Sequence, residues 1–195
     1  MKRLGLILTL AVLIFSSAVS LAGAYEEHML SMDFKAEKKP QHRLARVKDA
    51  KDGWYNVLGG AILYDTDYPN RQIGYVHEGC LVDCLLDISK GTEDDEPYRT
   101  RVYICGVYGL IEKNRLDFEL EKGFKDKQSF FALHDEKILL DFGKNRKKSS
   151  GTLIKNEACT LLFEYWNGET REKYCLVETE NAYGFVPSAA LSRKP

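Results

Sequence analysis

An internal repeat limits the folds open to this chain more than any other feature of its sequence. Residues 54–65 align without gaps to residues 130–141, an offset of 76 residues. After one inserted residue, residues 79–85 align to residues 156–162. Both copies consist of short alternating apolar runs separated by turn residues, the pattern of half-buried β-strands. Several short strands in each copy predict an all-β fold of two small barrels, rather than a sheet with crossover helices.

The clearest strand signals lie at the end of the second copy. Residues 165–170 contain Asn167-Gly168, which predicts a hairpin turn. Residues 183–188 predict a tight glycine corner followed by a short strand. A weaker counterpart, residues 108–111, lies 75 residues upstream. The sequence therefore predicts that both copies close with the same kind of strand.

The N-terminus carries the pattern of a secretory signal peptide. Two basic residues precede an apolar run at 4–15, and Ala22-Gly23-Ala24 supplies small residues where signal peptidase cuts. We expect residues 1–24 to be the signal peptide, with cleavage after Ala24. A membrane anchor is the alternative, although the run is short for a span of about 20 residues. The predicted protein is exported, periplasmic or extracellular.

The sequence offers little material for catalysis or for a metal site. Its formal net charge of −1 gives no general attraction to nucleic acid. The four histidines are scattered, and no nucleophile stands beside a base in a recognisable motif. His77, Cys80 and Cys84 are close in sequence, but their spacing is not a common zinc pattern. We predict a protein that is not an enzyme and that uses no metal or cofactor.

Five cysteines in an exported protein permit disulfides, and the odd number leaves at least one thiol unpaired. Cys105 falls on the predicted strand that follows Cys84, so these two are one candidate pair. Cys159 and Cys175 flank the Asn167-Gly168 turn and are the other. A two-residue turn would place the second pair on opposite faces of the hairpin, so this bond requires a bulge or a different loop length. Burial as free thiols is the alternative for all five.

These features resemble the bacterial SH3-like (SH3b) domain family. Residues 61–65 resemble the small residue, Leu-containing strand and polar turn that begin the family's repeat, and Ile73-Gly74 resembles its Ile-Gly step. Residues 184–191 resemble its closing Gly-aromatic-Val strand and the short helical turn that ends in Leu. The first copy departs from the family at Leu110, where an aromatic residue is expected.

The resemblance implies two tandem SH3-like barrels, at 54–118 and 130–195, joined by a linker at 119–129. A polar N-terminal arm at 25–53 precedes them. Exported bacterial domains of this family commonly bind peptidoglycan peptides or accompany cell-wall hydrolases. The implied function is therefore non-enzymatic binding of cell-wall peptidoglycan peptides or of an envelope protein.

The implied ligand groove lies between the long first loop and the turn before the last strand, where aromatic rings offer apolar contact area. By position, the candidate ligand contacts are Tyr64, Asp65, Tyr68 and Tyr108 in the first barrel and Trp166, Tyr183 and Pro187 in the second. The alternatives are packing of Tyr108 and Tyr183 at the glycine corners, and a capping or interdomain role for Trp166.

Two other functions stay open from the sequence. The acidic stretch at 93–96 is expected to be a solvated loop, and it would suit a protein that docks or inhibits another exported protein through a basic patch. An unpaired cysteine would suit a thiol-active envelope protein.

Overall fold

The structure, a computed structural model, describes residues 23–32, 42–48, 59–85, 98–120, 129–140, 142, 148–168 and 170–194. The predicted signal peptide before Gly23, the acidic stretch at 93–96 and most of the predicted linker lie outside these residues.

The described residues form one short helix and a curled antiparallel sheet, which confirms the predicted all-β class. The helix α1 is Ala24–Ser31. The strands β1 to β14 are, in chain order, His42–Val47, Gly60–Tyr64, Gln72–His77, Leu81–Leu85, Arg99–Ile104, Val107–Glu112, Leu116–Asp117, Ser129–Ala132, Glu136–Leu139, Ser149–Leu153, Ala158–Asn167, Glu172–Glu178, Tyr183–Pro187 and Leu191–Ser192. Short 3-10 turns, Lys113–Arg115 and Ser188–Ala190, precede β7 and β14. None of the helical segments described is long and apolar enough to cross a membrane.

The same strand order occurs twice. The first repeat, β1 to β7, has the order β7-β1-β4-β5-β6-β2-β3. The second repeat, β8 to β14, has the order β14-β8-β11-β12-β13-β9-β10. At each position of the sheet, the number of the strand in the second repeat is seven higher than that of the equivalent strand in the first repeat. The repeat in the sequence therefore corresponds to a repeat in the structure.

The first strand of each repeat differs from the sequence alignment. The counterpart of β8 is β1, which lies within the polar arm, and not residues 54–57, which are outside the described residues. β1 pairs with β4 and β7, and its Ala45 and Val47 are fully buried. The polar and charged side chains His42 and Arg43 lie at the more exposed start of the strand, so its composition resembles that of a loop.

Turn residues set the hairpin registers. Asn167 of β11 pairs with Glu172 of β12, so the connecting loop has four residues, 168–171, and not the two predicted from Asn167-Gly168. Arg171 adopts a φ of 59° and donates its backbone N–H to the Asn167 carbonyl at 2.9 Å. A two-residue turn occurs instead at Cys105-Gly106, where φ values of 44° and 89° are those that a type I′ turn requires.

The predicted glycine corners are places of close backbone approach. Gly109 of β6 and Gly184 of β13 hold equivalent positions in the two repeats. A Cβ on Gly184 would lie 2.3 Å from the Leu139 carbonyl oxygen, and a Cβ on Gly109 would lie 2.8 Å from the Tyr64 carbonyl oxygen. Only glycine permits these contacts, which bring β6 against β2 and β13 against β9.

Strand β11 joins the two repeats. Its first residues pair with β8, and residues 163–165 pair with β3 of the first repeat. A register shift near Leu162 lies between the two parts. A bulge of this kind bends a strand and lets it change partner. The two repeats therefore share one continuous sheet.

The hydrophobic core also crosses between the repeats. A smaller cluster belongs to the second repeat alone and contains Ala132, Ile138, Leu153, Cys159, Leu161, Cys175, Val177 and Val186. The larger cluster combines the interior of the first repeat with Phe142, Leu162, Phe163, Leu176 and Phe185 of the second. Within it, the Phe142 ring meets the rings of Phe185 and Tyr174 edge-on, each at 4.6 Å, a favourable aromatic geometry.

Helix α1 lies between the two repeats. Tyr25 is fully buried, and its hydroxyl donates a 2.7 Å hydrogen bond to the Leu81 carbonyl of β4. The same ring meets Tyr183 of β13 edge-on at 5.5 Å. Glu26 forms a 2.8 Å ion pair with Arg46 of β1. The residue that follows the predicted cleavage site therefore contacts both repeats.

Candidate ligand-binding site

A small pocket of about 150 Å³ lies on the outer face of the first repeat. It is lined by Gly60, Ile62, Tyr64, Tyr75, Glu112 and Arg115. Ala61 and Leu63 of β2 point into the core, so the alternating residues Ile62 and Tyr64 point outward. Glu112 and Arg115 add a carboxylate and a guanidinium group 3.7 Å apart. The pocket thus combines aromatic rings with both signs of charge.

The outer face of β2 continues onto the second repeat through β3 and β11. Ile62 lies opposite Tyr75, and Tyr75 lies opposite Glu164, so the three side chains share a face. Trp166 stands two residues beyond Glu164 and points the same way. We call the surface formed by Ile62, Tyr64, Tyr75, Glu164 and Trp166 the junction face. Because only β3 separates β2 from β11, the strands that carry Tyr64 and Trp166 are about 10 Å apart.

A contact between a histidine and a carboxylate crosses this face from one repeat to the other. The buried His77 of β3 contacts Glu164 Oε1 through Nε2 at 3.0 Å. The His77 ring also meets Tyr75 edge-on at 5.2 Å. The hydrogen bond from His77 lowers the pKa of Glu164, and it outweighs the opposing effect of partial burial. The pair holds Tyr75 in place beside β11.

The pair between Glu164 and His77 predicts an acid-sensitive contribution to stability. Because the pKa of Glu164 is lowered in the folded chain, this contribution is present above the unfolded carboxyl pKa of about 4.3 and is lost as pH falls through the lower folded pKa. The urea concentration at the unfolding midpoint should fall as the pH is lowered from about 6 to about 3. We expect this fall to be smaller in Glu164→Gln than in the wild-type protein. The effect should not exceed about 1 kcal/mol, because Glu164 is half-exposed. Glu180→Gln removes an exposed carboxylate as the control, and an unchanged pH slope in Glu164→Gln would contradict the prediction.

Asp65 is engaged within its own loop. Its carboxylate accepts hydrogen bonds from the backbone N–H groups of Asp67 and Tyr68, at 2.7 and 3.2 Å, and from Arg71 Nε at 3.0 Å. Burial alone would raise the pKa of Asp65, but the hydrogen bonds from Arg71 and from the backbone outweigh it and hold the pKa below its ordinary value. Asp65 therefore shapes the 65–71 loop.

The 65–71 loop is fastened to the pocket by one arginine. The Arg99 guanidinium lies 3.8 Å above the centre of the Tyr64 ring, a cation–π contact, and it donates a 2.6 Å hydrogen bond to the Pro69 carbonyl. Tyr68 is 63% exposed on this loop, with its ring against Arg71. The first repeat therefore brings Tyr64 and the loop of Tyr68 together.

Tyr108 lies apart from the pocket. It is 55% exposed on β6, and its ring packs against Tyr103 at 4.9 Å. Tyr103, which is partly buried, is its partner in the β5–β6 hairpin, so the two rings form an aromatic pair at the turn end of that hairpin.

The three candidates of the second repeat do not converge on one surface. Tyr183 lies beneath α1, with the His28 ring stacked on it at 5.2 Å. Pro187 shares a face with Tyr165 through the register of β11, β12 and β13. Trp166 follows Tyr165 and therefore points to the opposite face. Trp166, which is 43% exposed, joins the junction face. Tyr183 instead lines an open groove of about 560 Å³ beside α1, on a different part of the protein.

Of the six residues that line the pocket, sequence reasoning identified Tyr64 and missed five: Gly60, Ile62, Tyr75, Glu112 and Arg115. The alternation in 72–77 carries a signal for Tyr75, because it places this ring outward beside Ile62 once β2 and β3 are paired. Arg115 carries no such signal, since the 3-10 turn after β6 brings it to the pocket beside Glu112, the last residue of β6.

The structure holds all five cysteines as free thiols. Cys84 lies opposite Val102, whereas Cys105 stands three residues further on, in the turn after β5. Three residues of strand span about 10 Å, beyond the Cα separation of about 7 Å that a disulfide allows, so Cys84 and Cys105 are not brought together. The bulge in β11 does place Cys159 and Cys175 on one face of the hairpin and in one cluster, but as thiols.

Burial makes most of these thiols unreactive. It raises the pKa of Cys84, Cys159 and Cys175 to about 12 in each case. Burial also raises the pKa of Cys80. Because the thiolate is the reactive form, these four cysteines are poor nucleophiles, and only Cys105 is partly exposed.

Three histidines are paired with carboxylates: His42 with Asp83 at 2.7 Å, His77 with Glu164 at 3.0 Å and His134 with Glu136 at 3.2 Å. In the part of the chain that the structure describes, no three His, Cys, Asp or Glu side chains are grouped to hold a metal ion.

Comparison with known proteins gives no family. No family model matches the chain, and no curated protein matches it. Two solved structures, NlpC2 and NlpC1 from Trichomonas vaginalis, are similar to 77% of this chain, at 16% and 14% identity and a TM-score of 0.33 each. The matches cover 48% and 45% of those chains, so this chain spans about half the length of the structures it matches. A likeness of this size carries no argument about fold or function.

Proposed function

We propose that the protein is an exported, non-enzymatic binding module made of two tandem SH3-like units. On this proposal it holds peptidoglycan peptides of the cell wall, or a peptide segment of an envelope protein, on the junction face. The strand order that occurs twice supports a duplicated unit. The N-terminal pattern of basic residues, apolar run and small residues supports export.

The observation that carries the proposal is the chemistry of the junction face. Tyr64, Tyr75 and Trp166 present flat rings on three paired strands, so they offer apolar area with little entropy to lose on binding. Glu112 and Arg115 lie at one end of this face, in the pocket. They provide partners for an amino group and a carboxylate, and the peptides of peptidoglycan carry both groups. At about 150 Å³ the pocket is smaller than sites that enclose a whole ligand, so on this proposal it takes one end of the peptide while the rest lies along the junction face.

We expect the mature protein to co-sediment with purified cell-wall sacculi. At a fixed, sub-saturating protein concentration, Trp166→Ala should lower the affinity about fivefold to tenfold, because loss of an aromatic anchor costs about 1–1.5 kcal/mol. Ile154→Ala is the matched control, since Ile154 is an exposed apolar residue on the β10–β11 turn, outside the junction face.

A third variant decides where on the protein the ligand lies. If Tyr108→Ala abolishes sedimentation while Trp166→Ala has no effect, the ligand occupies the aromatic pair of Tyr103 and Tyr108, and the junction face is not the site. Failure of the wild-type protein to sediment would overturn the peptidoglycan version. An envelope protein captured in its place should bind more weakly as salt increases if charge drives the contact.

A further inference from the structure

Glu178 is a buried carboxylate directed at the start of α1. It ends β12, is 3% exposed, and its Oε2 lies 3.4 Å from the backbone nitrogen of Glu26. The backbone carbonyl of the next residue, Thr179, accepts a 3.2 Å hydrogen bond from the backbone N–H of Ala24. The backbone nitrogens on both sides of Tyr25 therefore contact residues 178–179.

Gly23 touches the same carboxylate. A Cβ built on Gly23 would lie 2.3 Å from Glu178 Cδ and Oε2, closer than any real contact. The Glu178 side chain is thus packed directly against the chain over residues 23–26. This segment contains the bond that we expect signal peptidase to cut, between Ala24 and Tyr25.

We propose that this cleavage creates a cationic partner for Glu178, the α-ammonium group of Tyr25. Hydrolysis adds water across the Ala24–Tyr25 peptide bond. The oxygen stays with Ala24 as a carboxylate on the released peptide, and the Tyr25 nitrogen takes protons to become an ammonium group at neutral pH. The proposal rests on the export part of the proposed function and not on its ligand.

An ammonium group suits this position better than the amide that it replaces. The amide offers one N–H donor, whereas the ammonium group offers three donors and a positive charge. Opposite charges attract more strongly where water is partly excluded, and Glu178 keeps its contact with the Glu26 backbone after Gly23 and Ala24 have left. The buried Tyr25 side chain donates a hydrogen bond to the Leu81 carbonyl, and this contact holds the α-amino group of Tyr25 in place. The ion pair therefore fastens α1 between the repeats in the processed chain.

The first test is chemical and needs no substitution. The intact mass of protein secreted by an exporting host should equal the mass of a chain whose first residue is Tyr25. A reagent selective for N-terminal amines, such as 2-pyridinecarboxaldehyde, should label the native protein at least about tenfold more slowly than the urea-unfolded protein, because labelling requires local opening of the buried site. This test stands even if a Glu178 variant fails to fold.

The second test is a double-mutant cycle on the mature chain. Four residues, Gly-Ser-Gly-Ser, inserted before Tyr25 move the amine up to about 14 Å along the chain, beyond the segment 23–26 that Glu178 contacts. The insertion should raise the equilibrium constant for unfolding about 10- to 100-fold in the wild-type chain and far less in Glu178→Gln. Glu180→Gln, which removes a neighbouring exposed carboxylate, should leave the effect of the insertion unchanged.

Three results would overturn the proposal: a mature chain that begins elsewhere than Tyr25, equally fast labelling of native and unfolded protein, or additive effects in the cycle. None of these measurements involves the ligand, so a failed sedimentation experiment would leave them intact. A chain that stays inside the host with residues 1–24 attached would instead overturn export itself.

Discussion

Replacement of Phe163 by alanine is expected to lower the free energy of unfolding by about 3–5 kcal/mol. Phe163 is fully buried where β11 of the second repeat pairs with Val76 of β3 in the first. Its ring lies 6.1 Å from the rings of Phe185 and Tyr165. Because β11 is paired with β12 on one side and with β3 on the other, the backbone cannot move in to close the cavity that the lost ring leaves.

Urea unfolding followed by both fluorescence and circular dichroism measures this effect. The larger hydrophobic cluster contains residues of both repeats, so we expect one transition that shifts as a whole in Phe163→Ala. Leu133→Ala, at an exposed apolar position, should stay within about 0.5 kcal/mol of wild type. Two separate transitions in the wild-type protein, only one of which moves in Phe163→Ala, would show that the repeats unfold independently and would contradict the prediction.

Gly184→Ala is expected to destabilise the protein by about 3 kcal/mol or more, through combined steric overlap and backbone strain. The new Cβ would lie 2.3 Å from the Leu139 carbonyl oxygen and 2.7 Å from Ile138 Cγ2. The nearest obstacle is backbone, which cannot rotate away as a side chain can. Gly184 also has a φ of 148°, which a residue with a Cβ rarely adopts.

Gly168→Ala is the matched control for this substitution. Gly168 lies in the loop after β11, and a Cβ there would meet nothing within 4 Å. We expect its thermal midpoint to stay close to that of the wild-type protein, while that of Gly184→Ala falls by several degrees or the variant fails to fold. Equal midpoints for the two alanine variants would mean that β13 does not approach β9 as closely as described.

Local patterns were enough to predict the all-β class, the repeat and the closing strands. Alternation identifies strands because their side chains point alternately to two faces, and Gly109 and Gly184 mark the corners because a Cβ does not fit there. β1 was not predicted, because its charged residues are typical of a loop, although the second half of the strand is buried. The loop length after Asn167 was not predicted either, since Asn-Gly favours a two-residue turn that the register does not use.

The candidate site was predicted residue by residue but not as a surface. Tyr64 and Trp166 each stand out as aromatic residues beside turns. Their common face depends on the pairing of β3 with β11, which also brings His77 and Glu164 together although they lie 87 residues apart. No local pattern specifies a register between strands so distant in sequence. For the same reason, neither the sequence of α1 nor that of β13 predicts that α1 covers Tyr183.

The strand order has a consequence for how a partner can approach. Three strands have a single neighbour in the described sheet: β7, β10 and β14. β7 and β14 have two residues each, and β10 is Ser-Ser-Gly-Thr-Leu, so the margins of the sheet are short or polar. Such margins offer a poor template for an incoming extended peptide. We therefore expect recognition through side chains on a face of the sheet, and not through main-chain hydrogen bonds to an added strand.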